Sequence, residues 1–194
     1  MRLFQVVGLM MIVTGLCFAQ DWGEYVDREE KFVVIFPGKP NIQNITVKSP
    51  EGLDLPAKVY TANSGPTQYK ITVVNYKDAA VLEVRGSVAW AAWQIRKRGG
   101  DVQFDGFNDN DRVGGIQLHI VYPNNTRMLA AIHQHARRLY IVEATTPADY
   151  PPAADFQQSL VILDEKGERV RYDLDEDGNW TGRVPSTSYV AGQD

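Results

Sequence analysis

The feature that most constrains this chain is a succession of three β-rich runs and one helical run between residues 115 and 163. Residues 116–122 and 127–134 favour strands, and Pro123, Asn124 and Asn125 between them supply turn chemistry. Proline fixes φ, and asparagine tolerates the left-handed region that tight hairpins require. A third strand-like run, 138–145, follows a second short break, and Pro151 and Pro152 open a segment that reads as helix through Leu160. The pattern predicts a three-strand meander closed by a helix. Side chains alternate along a strand, so Leu139 and Ile141 point to one face and Tyr140 and Val142 to the other. Both faces of the sheet are therefore expected to be covered.

Further strands are expected upstream at 31–36 (KFVVIF, ended by the turn PGKP), 42–47, 59–62 and 69–76. The main helical candidate is 78–98, where Val84, Val88, Ala91, Ala92 and Ile95 recur at helical spacing. Asp78 is placed to cap it, although Gly86 and Ser87 interrupt the pattern and allow a start at Ser87. Arg96, Lys97 and Arg98 fall in the last turn, where positive charge meets the negative end of the helix dipole, and Gly99 suits a left-handed stop. That helix-end chemistry accounts for the basic trio without an anion site. Residues 106–115 read as a polar loop.

The ends of the chain bound its setting. Arg2 followed by an apolar run to Phe18, with Cys17 and Ala19 as small residues, reads as a secretory signal peptide at 1–19. The run is shorter than the ~20 apolar residues of a spanning helix, so no membrane span is expected after cleavage. Cys17 is the single cysteine, and its removal excludes disulfides, a thiol nucleophile and thiolate metal ligands. With Arg2 gone, the formal net charge of −4 moves one unit further negative. A mildly acidic chain with scattered basic residues gives no support for nucleic-acid binding.

The strand ending in FPGKP, the YKITVVNY strand, the central helix and the stretch RMLAAIHQHARRLYIVEATTPADYPPAADFQQSL together resemble the Mog1/PsbP-like group of small α/β/α domains. Arg138, Leu139 and Tyr140 match that group's strand pattern, and Phe156, Ser159 and Leu160 its helix. The resemblance covers residues 31–163 and rests on hydrophobic pattern and order. It implies an α/β/α fold and an accessory binder rather than an enzyme, as in the group's photosystem-associated lumenal proteins and its Ran-binding factor. It transfers no functional residue.

Three constellations bear on chemistry. Asp173, Asp175, Asp177 and Gly178 (DLDEDG) have the alternating carboxylates and turn glycine of a calcium loop. The position for a bidentate glutamate holds Val184, however, and 170–174 reads as a strand. A β-hairpin with an acidic turn is the favoured reading, with weak calcium binding as the alternative. His133 and His135 share a strand face; with an even-length loop before that strand, His119 pairs with Ala130 and faces away from both, so no three-histidine metal site forms. Ser87 and Ser159 sit in helical context with no assigned base, and no nucleophile elbow is present, so an enzyme is not expected. Trp90 and Trp93, three apart on the helix, are read as core.

The expected fold is α+β: an antiparallel β-sheet covered by helices on both faces, an α/β/α sandwich with a C-terminal β-hairpin appendage. The expected organisation is a signal peptide at 1–19, a lead at 20–30, the main domain at 31–163, the hairpin at 164–184 and a flexible tail at 185–194. The expected function is an exported, periplasmic or secreted, non-catalytic binding or accessory protein that meets an unidentified protein partner through a sheet edge or loop face. No cofactor is expected. The alternative is a carrier of a small molecule or calcium ion, using Asp173, Asp175 and Asp177 or a pocket under the helix of Trp90 and Trp93.

Overall fold

The computed structural model describes residues 22–184; the expected leader and tail lie outside them. The chain begins with β1 (Trp22–Asp27), β2 (Phe32–Pro37), β3 (Asn41–Lys48), β4 (Asp54–Ser64) and β5 (Thr67–Asn75), then α1 (Val81–Arg96). It continues through β6 (Asp101–Asn110), β7 (Val113–Val121), β8 (Thr126–His135), β9 (Arg138–Pro147), α2 (Ala154–Gln158), β10 (Val161–Ile162), β11 (Tyr172–Leu174) and β12 (Trp180–Arg183). Seven strands form one antiparallel sheet in the order β3-β4-β5-β9-β8-β7-β6, and β1-β2-β10 form a second, three-stranded sheet.

The meander β7-β8-β9 follows the expected runs, and a fourth strand precedes it. Residues 101–110, half of them expected as loop, form β6 because two-residue turns with left-handed backbone connect antiparallel strands without opposing their twist. Asp111 and Arg112 (φ 53° and 68°) make that turn between β6 and β7, and Ala136 and Arg137 (φ 45° and 62°) make the one between β8 and β9. Such φ values strain residues that carry a Cβ. Around the second turn Arg137 Nη1 donates to the carbonyls of Tyr76, Lys77 and Ala79, and its own carbonyl accepts from Tyr76 N–H at 2.8 Å. The strained turn is thereby tied to the segment that leads into α1.

The expected sandwich with helices on both faces is not what forms. The described residues are mostly strand, and among them only one face of the seven-stranded sheet carries a long helix. There α1 packs Ala91, Ala92 and Ile95 on Leu118, Ile120, Met128, Ala130, Ile132 and Leu139. The other face is covered by the second sheet: Phe32, Val34 and Phe36 of β2 lie against Tyr60, Ile71, Tyr140 and Val142. Two side-chain bonds lock the layers, Tyr60 Oη to Asp27 Oδ2 at 2.7 Å and Tyr140 Oη to the Glu30 carbonyl at 3.0 Å. The helix expected over 151–160 is only five residues long. Its continuation is taken by the β-branched Val161 and the adjacent Ile162, which pair with Val33 and Phe32 of β2. In the run KFVVIF, Phe32, Val34 and Phe36 face the seven-stranded sheet, while of the intervening residues Val33 is buried and Ile35 is exposed.

Helix α1 starts earlier than Ser87 and is not capped by Asp78: its cap is Ala80, whose N–H reaches Glu83 Oε2 at 3.4 Å. It ends at Arg96, and Gly99 beyond it takes φ +85°. The strands β11 and β12 pair as a hairpin. It docks on the β6–β7 turn through Arg169 to Asp111 at 2.5 Å and onto β8 through Tyr172 Oη and His135 Nε2 at 3.0 Å.

Candidate functional site

One helix cannot cover seven strands. An α-helix is about 10 Å across and strands lie about 4.8 Å apart, so it shields two to three of them. Here α1 lies over β7, β8 and β9. The half-face formed by β3, β4 and β5 is left as a groove of about 570 Å³ between Trp90, Gln94 and Arg98 of the helical segment and a floor that includes Ile45, Val59, Val74 and Ile141. Ile45 remains 41% exposed although its cross-strand neighbour Ala57 is buried, so apolar surface continues out to the last strand.

One end of this groove is charged. Glu143, only 4% exposed, receives Lys70 Nζ at 2.6 Å on one carboxylate oxygen and Arg98 Nη1 on the other. Lys70 is the direct cross-strand neighbour of Glu143, a pairing that opposite charges favour. Two cations on one carboxylate leave a net positive end. The basic trio at the end of α1 therefore does more than face the dipole: Arg96 makes a bidentate pair with Asp105 at 2.7 Å for both bonds, Lys97 Nζ lies 4.2 Å from the Trp93 ring centroid, and Arg98 reaches Glu143. Trp90 and Trp93 are not core. They stack on each other at 4.6 Å, with Trp93 42% exposed and Trp90 facing the groove. The sequence signal that could have found the charged end is a lone Lys in YKITVV and a lone Glu in YIVEAT, opposite charges in two otherwise apolar strands.

Asp173, Asp175 and Asp177 lie on and around the β11–β12 turn. Asp175 Oδ1 accepts the N–H groups of Asn179 at 2.8 Å and Asp177 at 3.0 Å, and these backbone donors, led by Asn179, hold its carboxyl below the usual range. Asp173 Oδ1 accepts Leu174 N–H at 3.2 Å. Among the described residues no group of three or more His, Cys, Asp or Glu side chains is placed to hold a metal ion. The two hydroxyls considered as nucleophiles serve their own helices: Ser87 Oγ donates to the Val84 carbonyl at 2.8 Å and Ser159 Oγ to that of Phe156 at 2.9 Å.

The histidines sit differently from the sequence reading. Tyr122 N–H donates to the Thr126 carbonyl at 2.8 Å, so the turn between these paired residues is the odd-length trio Pro123, Asn124 and Asn125, with Asn125 at φ 59°. His119 pairs with Leu129, not Ala130, and so shares a face with His133 and His135. Each has its own partner: Gln117 for His119 at 2.8 Å, Tyr172 for His135, and for His133 the Val113 carbonyl at 3.0 Å on Nδ1 and Asn108 Nδ2 at 3.1 Å on Nε2.

His133 satisfies both partners as a neutral imidazole, donating from Nδ1 and accepting on Nε2. Burial pushes its pKa down, against the Val113 carbonyl and Asp109, which raise it. Burial also lowers His135, joined by Arg183 and Lys31 and opposed by Asp164. Because the folded values lie below the unfolded one, the unfolded chain takes up protons first. The stability these groups contribute is complete above about pH 6.5 and falls as pH drops below it. The melting temperature should therefore fall between about pH 6.5 and 5, before ordinary carboxylates titrate. His133→Gln should flatten that slope, and an unchanged slope would refute the assignment.

The fold resembles the solution structure of cyanobacterial PsbP from Synechocystis sp. PCC 6803, with 14% identity over 80% of this chain and 100% of that chain and a TM-score of 0.49. The likeness is one of fold. No protein-family model and no curated protein matches the chain.

Proposed function

We propose that the protein is an exported, non-catalytic binding protein that receives an extended segment of a protein partner along β3, with the segment's side chains seated in the groove beside α1. The observation that carries this reading is the contrast between the two edges of the large sheet. Proteins guard outer strands with charges, bulges and proline. The β6 edge has a register irregularity between Val102 and Phe104 and three aspartates, Asp101, Asp105 and Asp109. The β3 edge pairs with β4 in unbroken register over Asn41–Lys48, with a single charge at its end, and its exposed Ile45 opens on the groove. An added strand would gain backbone hydrogen bonds along the edge and bury alternate side chains in the groove. The positive end made by Lys70 and Arg98 suits an acidic residue in that segment.

The test is a photo-crosslinking amino acid at Ile45, with Phe107 on the guarded edge as control, in the cells from which the chain comes. An adduct from Ile45 alone is expected, mapping to an extended segment of another protein with a nearby Asp or Glu. Asn44→Lys with Thr46→Lys, which charges the edge without touching the groove, should reduce it about tenfold or more. Equal labelling at Phe107, an adduct to a second copy of this chain, or only a small molecule bound in native mass spectrometry would each overturn the reading.

A further inference from the structure

A second cleft lies on the molecule's other side, where β1 and β5 meet the segment leading into α2. It has a volume of about 560 Å³ and is lined by Trp22, Tyr69, Tyr150, Pro151, Pro152 and Asp155, among others. Trp22 is 48% and Tyr150 50% exposed, yet the Trp22 ring and the Tyr150 backbone are held in place. Trp22 meets Tyr69 edge to face at 5.0 Å, and Tyr69 in turn meets the buried Phe156 at 5.0 Å. The backbone around Tyr150 is fixed by Arg127, which donates to the Ala148 carbonyl at 2.6 Å and the Tyr150 carbonyl at 3.5 Å, and by Ala148 N–H on the Asn125 carbonyl at 2.8 Å. A half-exposed Trp22 ring packed on Tyr69, beside a fixed backbone at Tyr150, forms a preorganised surface, which lowers the ordering cost of whatever binds there.

The chemistry of the lining narrows the occupant. The polar groups are the hydroxyls of Ser64, Thr67, Tyr69 and Tyr150, the indole N–H of Trp22 and the Asp155 carboxylate, and the Thr67 hydroxyl is already engaged with Thr146 Oγ1 at 2.9 Å. The hydroxyls and the indole N–H are donors, so the lining suits a segment whose backbone carbonyls point outward and whose N–H groups are few. Proline has none to satisfy, and a polyproline II segment makes no internal hydrogen bonds and is already ordered before binding. Tyrosine, tryptophan and proline rings are the surfaces on which such segments dock. Asp155 is the one charged residue in the lining, so charge complementarity asks for a basic residue in the segment. We propose that this cleft binds a proline-rich, polyproline II segment of a partner protein carrying one Lys or Arg. The site is independent of the β3 edge.

The probe is a short synthetic peptide of alternating proline with one arginine, titrated into the full chain. The readout is the indole N–H resonance of Trp22, assigned by its loss in Trp22→Phe. A saturable shift is expected, with affinity about tenfold weaker when the prolines are replaced by alanine and again weaker when the arginine is replaced by glutamate. Asp155→Asn should weaken the arginine peptide several-fold and leave an arginine-free proline peptide unchanged, a charge-specific difference that misfolding would not produce. Tyr150→Ala should weaken both peptides. No saturable shift, equal affinity for the alanine peptide, or a saturable response to maltohexaose in place of the peptides would overturn the proposal, the last in favour of a sugar platform. Ile45→Lys should leave the titration unchanged, so failure here and failure at the β3 edge are read separately.

Discussion

Gly115→Ala is expected to cost about 3 kcal/mol or more, enough to threaten folding of a domain of ordinary stability. Gly115 lies opposite His133 in the β7–β8 ladder, and the imidazole fills the space a side chain would need. A Cβ there would collide with the Ile132 carbonyl oxygen and stand 2.5 Å from His133 Nδ1. Neither obstacle can move cheaply. The first is backbone in a central ladder, and the second is a fully buried ring held by Val113 and Asn108. Turning the ring out would strand buried polar groups at about 1–3 kcal/mol each. Gly114→Ala is the control, because its Cβ would meet only the Phe107 ring, at 3.2 Å, and Phe107 is 75% exposed and free to swing. It should change stability by less than about 1 kcal/mol. Urea unfolding of the two variants tests the contrast, and comparable losses would mean that the His133 packing does not decide the fate of this strand pair.

The same pair of strands marks how far the sequence could be read. The runs that became β7, β8 and β9 announce themselves through alternation and turn residues, because those signals are local. Register is not local. One residue in the loop between Tyr122 and Thr126 moved His119 from the face opposite His133 to the same face. The strand β6 escaped because it is a polar outer strand, with Asp101, Asp105 and Asp109 where apolar alternation was sought. Likewise the covering of the second face could not be read from KFVVIF: the run reads as a strand, but nothing within one strand says which sheet it joins or which face it covers. Of the candidate site, Trp90 was visible as half of a tryptophan pair, while its place beside a groove follows from the crossing of α1 over only part of the sheet. The charged end needed the pairing of β5 with β9, which brings Lys70 to Glu143 from 73 residues away in sequence and is invisible to any window.

That charged end yields the second large effect. Replacing Lys70 and Arg98 together by methionine should destabilise the protein by about 3–5 kcal/mol, because it leaves the Glu143 carboxylate, 4% exposed, without either cation. Replacing Glu143 by methionine should cost far less. The side chains of Lys70 and Arg98 are 27% and 44% exposed, so both cations can turn toward water once the carboxylate is gone. The triple methionine variant, with no charge left to desolvate, should recover most of the loss seen in the double variant. Additive losses across the series would show that the three groups act independently and that the ion cluster is not a unit. If the expected order holds, the cluster contributes little net stability relative to an apolar replacement, and its retention at the mouth of an open apolar groove is better explained by what the excess positive charge attracts. Photo-crosslinking at Ile45 in the triple variant then separates the roles, since a folded protein with an intact β3 edge but no charge at the groove end should lose preference for an acidic segment.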